Sequence, residues 1–107
     1  MSLRERFTQE MKDAMKGGDK ARLAAIRMIQ AALKDRDIEA RGAGKEVSEE
    51  DILALLQKMV KSRQESLAMY EQAGREDLAA QERGEIAVIT TFLPAQMSDE
   101  DVKAAIA

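Results

Sequence analysis

Residues 19–42 read DKARLAAIRMIQAALKDRDIEARG, a segment dominated by residues that favour helices. Its larger apolar residues recur, with alanines between them, at Leu23, Ile26, Ile29 and Leu33. Steps of three and four residues place all four on one face of an α-helix. Asp19 is a suitable cap for the start of that helix. The segment therefore predicts a long helix that runs to about Arg41 and buries one wide face.

Two serines predict where neighbouring helices begin. Ser2 and Ser48 each precede an acidic residue by three positions, the spacing of a capping box that satisfies free amides at a helix start. We expect the first helix to end at the Gly17-Gly18 pair and the third at Gly74, because glycine adopts the conformation that terminates a helix. Residues 41–46, RGAGKE, form the predicted loop between the second and third helices.

A fourth helix is predicted from about Arg75 to Phe92. Pro94 sets its end, because a residue before proline avoids the helical region. Gly84 lies inside this helix and costs about 1 kcal/mol relative to alanine, so we expect a close contact with another helix there. Ser98 then starts a short fifth helix, which we expect to stop after about two turns.

Together these segments predict an all-α protein, a compact helical bundle of four main helices plus a short C-terminal fifth helix. No run shows the period of two that is typical of a half-buried strand. We expect residues 1–94 to form one helical domain and residues 95–107 to begin a second, smaller helical part that is truncated. The predicted core consists of Ile26, Ile29, Leu33, Leu55, Met59 and Ile89.

The amino-acid composition excludes several kinds of chemistry. The chain contains no Cys and no His, which removes disulfides, thiolate metal sites, and the commonest general base and metal ligand. We therefore predict no catalytic residue, no metal site and no cofactor. The acidic run Glu49-Glu50-Asp51 is interpreted as a complement to the positive end of a helix dipole. Phe7 and Tyr70 are interpreted as core residues rather than as a surface for stacking bases.

Positive charge is concentrated in the first half of the chain. Residues 1–45 carry 11 Lys or Arg against 7 Asp or Glu, a net +4, whereas residues 46–107 carry 6 against 13, a net −7. Within the second helix, cations recur every seven residues at Lys20, Arg27, Lys34 and Arg41. Seven residues return to within about 20° of the same direction. These four residues, called the basic ridge below, therefore line one helix face over about 30 Å.

The basic ridge has two interpretations. In the first, its cations neutralise the backbone phosphates of a folded RNA. In the second, it is a solvated face whose charges pair locally with Glu10, Asp35 or Asp37.

Arg63 on the third helix is interpreted differently from the ridge. It falls in line with the apolar stripe of that helix rather than on its polar side. We expect a structural role, in which the stem of Arg63 packs against apolar neighbours and its head pairs with a carboxylate.

The N-terminal sequence MSLRERF places charges where a secretory signal peptide needs an apolar stretch. The longest apolar-rich run, from Ile86 to Leu93, is far too short to span a bilayer. We accordingly expect a cytoplasmic protein without membrane contact. We also expect the protein to be a monomer.

Two segments resemble the YqeY family, the stand-alone relative of the tail of the GatB polypeptide of the tRNA-dependent amidotransferase. They are residues 19–42, with the stretch Ile26-Arg27-Met28-Ile29, and residues 73–102, AGREDLAAQERGEIAVITTFLPAQMSDEDV. The most specific piece is Gly74-Arg75-Glu76-Asp77-Leu78, followed at helical distance by Phe92-Leu93-Pro94. The resemblance covers nearly the whole chain and implies an all-helical fold with a larger N-terminal and a smaller C-terminal part.

The same resemblance implies a connection with tRNA, with which the related tail is associated. It transfers no catalytic residue to this chain, because amidation needs a glutaminase serine-lysine centre and an ATP site that lie in other polypeptides. We therefore expect a tRNA-binding accessory domain linked to transamidation, a carbon–nitrogen ligation with glutamine as amide donor. Its expected RNA-binding residues are Lys20, Arg27, Lys34 and Arg41. The alternative is a helical protein–protein docking module of a larger complex.

Overall fold

The computed structural model of the chain describes residues 2–94, which fold into four helices. These are α1 (Leu3–Gly17), α2 (Lys20–Gly42), α3 (Glu49–Gln72) and α4 (Glu76–Thr90). The predicted all-α class is confirmed for this part of the chain, in which no strand occurs. The fifth helix predicted from Ser98, and the smaller part predicted for residues 95–107, lie outside the described residues.

Both predicted capping boxes form as reciprocal hydrogen bonds. The Glu5 amide donates to the Ser2 hydroxyl at 3.2 Å, and the Ser2 amide donates to the Glu5 carboxylate at 3.1 Å. Ser48 and Asp51 make the equivalent bonds at 3.1 and 3.0 Å. These bonds satisfy amides that have no partner within the helix. As a result, α1 and α3 begin directly after the serines that predict them.

A tight reversal connects α1 to α2. Gly18 has a φ of +68°, a left-handed conformation that glycine adopts at little cost. The next amide, of Asp19, donates to the Ala14 carbonyl at 2.9 Å and closes the end of α1. The Asp19 carboxylate then accepts from the Arg22 amide at 3.1 Å and caps α2. One residue therefore ends the first helix and starts the second, and α2 packs back against α1.

The helices share one hydrophobic core. α4 packs mainly against α3 and also against α2, while α1 packs against α2. Fully buried large side chains come from every helix and from the turn after α4: Phe7, Ile26, Ile29, Ile52, Leu56, Ile89 and Phe92. Burying each such side chain contributes roughly 1.5–3 kcal/mol to folding.

The predicted core is confirmed in part. Ile26, Ile29, Leu33 and Ile89 are buried as expected. The prediction is wrong for Leu55 and Met59, which are only partly buried and pack against the edge of the core.

Ile52 and Leu56 take the central positions of α3 instead. Leu55 lies about 100° around the helix from Leu56, and Met59 lies further along α3, past its buried stretch. Spacing alone identifies an apolar stripe, whereas the neighbouring helices decide which part of the stripe is covered.

Gly84 does not make the close helix contact that its position predicts. A Cβ atom built on Gly84 has nothing within 4 Å outside the backbone of its own helix. Within residues 2–94 the space above Gly84 is open, so the expectation of a close contact inside the domain is wrong. α4 therefore carries the cost of an interior glycine, about 1 kcal/mol, without a packing reason in the domain itself.

Candidate nucleic-acid interface

The basic ridge runs the length of α2 on its solvent face. Lys20 is the first residue of the 23-residue helix and Arg41 is the last but one, with Arg27 and Lys34 between them. All four side chains are exposed. Successive ridge residues are about 10 Å apart along the helix axis, since seven residues rise 1.5 Å each. The structure thus brings all four predicted RNA-binding residues onto one accessible surface.

Two of the three acids expected to neutralise the ridge have other partners, and the third, Asp35, pairs with no cation among the described residues. The Arg4 guanidinium donates to the two carboxylate oxygens of Asp37 at 2.6 and 3.0 Å, and this pairing lowers the pKa of Asp37. Glu10 pairs with Arg22. Among residues 2–94, no carboxylate lies within ion-pair distance of a ridge cation. The local ion pairs of the solvated-face interpretation do not form.

A polar groove opens beside the C-terminal end of the ridge. Its volume is about 620 Å³, and its walls come from α1, the end of α2 and the loop that follows. Three cations line it, Arg4, Arg41 and Lys45, against two carboxylates, Asp37 and Glu46. The lining therefore carries a net charge of +1, which Arg41 supplies, because Arg4 and Lys45 are balanced by Asp37 and Glu46.

Arg63 has the structural role that the sequence predicts. Its guanidinium lies between two carboxylates of α4, with Nη1 3.9 Å from Glu82 Oε2 and Nε 3.4 Å from Glu85 Oε2. It also donates to the thioether sulfur of Met28 at 2.8 Å. One side chain of α3 thus contacts both α2 and α4, and its charge is neutralised within the bundle.

The two glutamates around Arg63 are the polar residues that sequence interpretation missed. Glu82 is only 7% exposed, and Oε2 of Glu82 and of Glu85 has no hydrogen-bond partner among the described residues. Burial, and repulsion from Glu85, raise the pKa of Glu82 against the opposing effect of Arg63. The signal is present in the sequence, because Leu78, Glu82, Glu85 and Ile89 share one helical stripe.

Most other candidate residues have structural roles, but Tyr70 is only partly buried and lies outside the core, so its interpretation as a core residue is wrong. Phe7 and Phe92 are both 1% exposed and pack against each other, so neither ring can stack on a base. In the acidic run, the Glu49 carboxylate accepts from the Leu3 amide at 3.3 Å, and Asp51 completes a capping box. Within residues 2–94, no group of potential ligands is arranged to hold a metal ion. No helix of this part combines the length and the hydropathy that crossing a membrane requires.

Fold and surface together define a small all-helical domain that presents one long cationic helix face. Comparison of the sequence with known families identifies it more closely. The chain belongs to the family described as Yqey-like protein, whose sequence model matches residues 4–107. This match confirms the resemblance seen in residues 19–42 and 73–102.

Three curated relatives share the name "Altered inheritance of mitochondria protein 41, mitochondrial". The protein of Vanderwaltozyma polyspora is 28% identical over 85 residues, which cover 79% of this chain and 45% of the relative. That of Saccharomyces cerevisiae is 29% identical over 84 residues, 78% of this chain and 44% of the relative. That of Lachancea thermotolerans is 29% identical over 85 residues, with 79% and 44% covered. The chain therefore spans less than half the length of the curated relatives it matches.

The expectation of a cytoplasmic location is contradicted by these relatives, which are named as mitochondrial proteins. The charges in MSLRERF argue only against a secretory signal peptide, whose central part must be apolar. Mitochondrial targeting segments are amphipathic and rich in arginine, so the same charges do not argue against an organelle. Charges in this segment therefore do not indicate a cytoplasmic location.

Proposed function

We propose that this domain binds folded RNA, with tRNA as the expected ligand, through the basic ridge on α2. One observation carries the proposal: four exposed cations share a helix face, and no acid within residues 2–94 pairs with them. Four unpaired charges on one surface attract a polyanion. The choice of tRNA rests on the family resemblance, since the related amidotransferase tail is associated with tRNA.

The phosphate backbone is the part of RNA that the ridge contacts in this proposal. Lys and Arg neutralise phosphates and release condensed counterions, which makes affinity strongly dependent on salt. Contacts of this kind position a ligand without reading its bases. Base stacking contributes little, because the rings of Phe7 and Phe92 are buried and the partly buried Tyr70 is a single aromatic on α3, away from the ridge on α2. Recognition therefore follows the shape of a folded RNA rather than its sequence.

The domain acts as an accessory module in this proposal. The chain has no Cys and no His, and the family resemblance assigns the glutaminase and ATP sites of transamidation to other polypeptides. The domain holds the RNA, and a separate enzyme performs the carbon–nitrogen ligation.

Salt dependence tests the proposal directly. Fluorescence anisotropy with a labelled tRNA, between about 50 and 200 mM salt, should give a slope of log affinity against log salt steeper than about −2. Combining Arg27→Glu with Lys34→Glu should make that slope shallower by about 1.5 units, because each of the two lost phosphate contacts contributes about 0.7–0.9. The loss should be similar for every folded RNA tested.

Lys58→Glu combined with Lys61→Glu is the matched control, because both lysines are exposed on α3 and the change in net charge is the same. This variant should retain most of the affinity of the original protein. If the Arg27 and Lys34 reversal leaves tRNA affinity intact while circular dichroism shows a folded protein, the ridge is a solvated face. The docking-module alternative then replaces RNA binding.

A further inference from the structure

A second groove lies between α2 and α4, on a different side of α2 from the basic ridge. Its volume is about 560 Å³. Small apolar side chains form most of its lining: Ala21, Ala24 and Ala25 of α2 and Ala80, Gly84 and Val88 of α4. Small residues on two adjacent helices leave a shallow channel into which the ridge of a third helix can pack.

Gly84 supports an occupant from outside the domain. It lies in the interior of α4, where glycine is unfavourable, and the position of its missing Cβ has nothing within 4 Å. No contact within residues 2–94 explains the glycine, although it lines the groove. A helix backbone can approach more closely over glycine than over any other residue.

The charged residues at the groove indicate which charge a bound partner should carry. Asp19 and Glu85 line it, as does Arg22, whose guanidinium is already paired with Glu10. Glu85 shares Arg63 with Glu82, so two carboxylates face one guanidinium and leave an excess of one negative charge.

Part of Glu85 is accessible from the groove. Its Oε2 is buried 3.4 Å from Arg63 Nε, and neither atom has a hydrogen-bond partner among the described residues. The side chain as a whole is 17% exposed, so a cationic donor from a partner can reach the carboxylate group.

We propose that the groove between α2 and α4 docks an amphipathic helix of a partner protein, with apolar residues over Gly84 and a Lys or Arg that reaches Glu85. The negative charge at Glu85 favours a helix of another protein over residues 95–107 of this chain as the occupant. Residues 95–107 carry three acids against Lys103, a net −2, which would add repulsion at Glu85. The site is independent of RNA binding, because it uses none of the ridge cations.

The probe is a synthetic amphipathic peptide of about 18 residues, made of Ala, Leu and Lys, because helices of this kind bind apolar grooves. Its comparison peptide has Glu in place of every Lys. Titration into the ¹⁵N-labelled protein should shift amide resonances mainly at Ala24, Ala80 and Gly84. The comparison peptide should give no such shifts, since its charge matches that of the groove.

Four variants distinguish binding in the groove from general electrostatic attraction. Gly84→Leu should fill the channel and weaken peptide binding at least tenfold, without unfolding the domain, because the space above Gly84 is open. Ala80→Leu, at another exposed position of the lining, gives a second test if Gly84→Leu does not fold.

Glu85→Gln tests the charge of the groove and should weaken binding about fivefold, the effect of losing one modest ion pair. Glu50→Gln removes the same charge from the exposed start of α3 and should change nothing.

Four results would overturn the proposal. The shifts could map away from the groove, or both peptides could bind equally. Self-association in sedimentation experiments that Gly84→Leu abolishes would make a second copy of the chain the occupant. In the absence of peptide, changes at Val102 and Ile106 caused by Gly84→Leu would instead assign the groove to this chain's own C-terminal residues.

Discussion

The ring of Phe7 packs edge to face against the ring of Phe92, with centroids 4.8 Å apart and planes at 79°. Phe7 lies in α1, and Phe92 lies in the turn that follows α4. Arg6 extends the contact, since its guanidinium lies 5.1 Å from the Phe92 ring centre and donates to the Thr91 carbonyl at 3.0 Å. The two ends of the described chain are therefore joined through one aromatic pair.

A double-mutant cycle at this pair should reveal coupling. Phe7→Leu and Phe92→Leu should each destabilise the domain, and the double variant should lose less than the sum of the two. The difference should be about 0.5–1.5 kcal/mol, the contribution of an aromatic pair beyond its buried area. Urea unfolding of the four proteins measures it. Strict additivity would show that the rings do not interact.

Two adjacent leucines on α3 should differ sharply in their contribution to stability. Leu56 is fully buried, whereas Leu55 is partly buried at the edge of the core. Leu56→Ala should cost about 2–5 kcal/mol in free energy of unfolding, because it leaves a cavity among packed neighbours. Leu55→Ala should cost distinctly less, since the surface around it can relax. Equal losses in chemical denaturation would show that Leu55 belongs to the core as fully as Leu56 does.

Glu82 should make stability depend on pH. Its carboxyl group faces Glu85 on α4 and Arg63 on α3, and its pKa is raised above the ordinary value of 4.5 mainly by burial. The folded state therefore binds this proton more tightly than the unfolded state. The resulting stabilisation is complete below the unfolded pKa and is lost as the pH rises through the folded pKa.

Glu82→Gln should remove this dependence, because the amide stays neutral at every pH. The stability of the variant relative to the original protein should increase from about pH 4 to pH 7. Urea unfolding at several pH values measures the difference. Glu65→Gln, at an exposed position in the middle of α3, is the matched control for the loss of one carboxylate. A pH-independent difference for Glu82→Gln would mean that burial does not affect this carboxyl group.

Two glycine-to-alanine substitutions should have opposite effects. Gly84→Ala should stabilise the domain by about 0.5–1 kcal/mol, because helix propensity improves and nothing obstructs the new methyl group. Gly18→Ala should destabilise it by about 1 kcal/mol or more, since the φ of +68° disfavours any side chain. Thermal unfolding distinguishes the two. A loss of stability for Gly84→Ala would reveal a contact over α4 inside the domain.

The sequence by itself determined the helices and their ends. Ser2, Asp19 and Ser48 predict three starts, and Gly18 and Gly74 predict two ends, all within one or two residues of the observed positions. These signals are local, because a cap or a glycine turn involves residues no more than five positions apart. The seven-residue spacing likewise predicts that the ridge cations share one face, and the motifs of two segments identify the family.

Only the tertiary structure decided how those helices meet. It selected Leu56 over Leu55 for the core, placed two acids around Arg63, and left the space over Gly84 open. It also assigned Asp37 to Arg4 and Glu10 to Arg22, which leaves the ridge without its expected partners. Each outcome depends on side chains from separate helices. Helix periodicity specifies the direction in which a side chain points, whereas packing specifies what it contacts there.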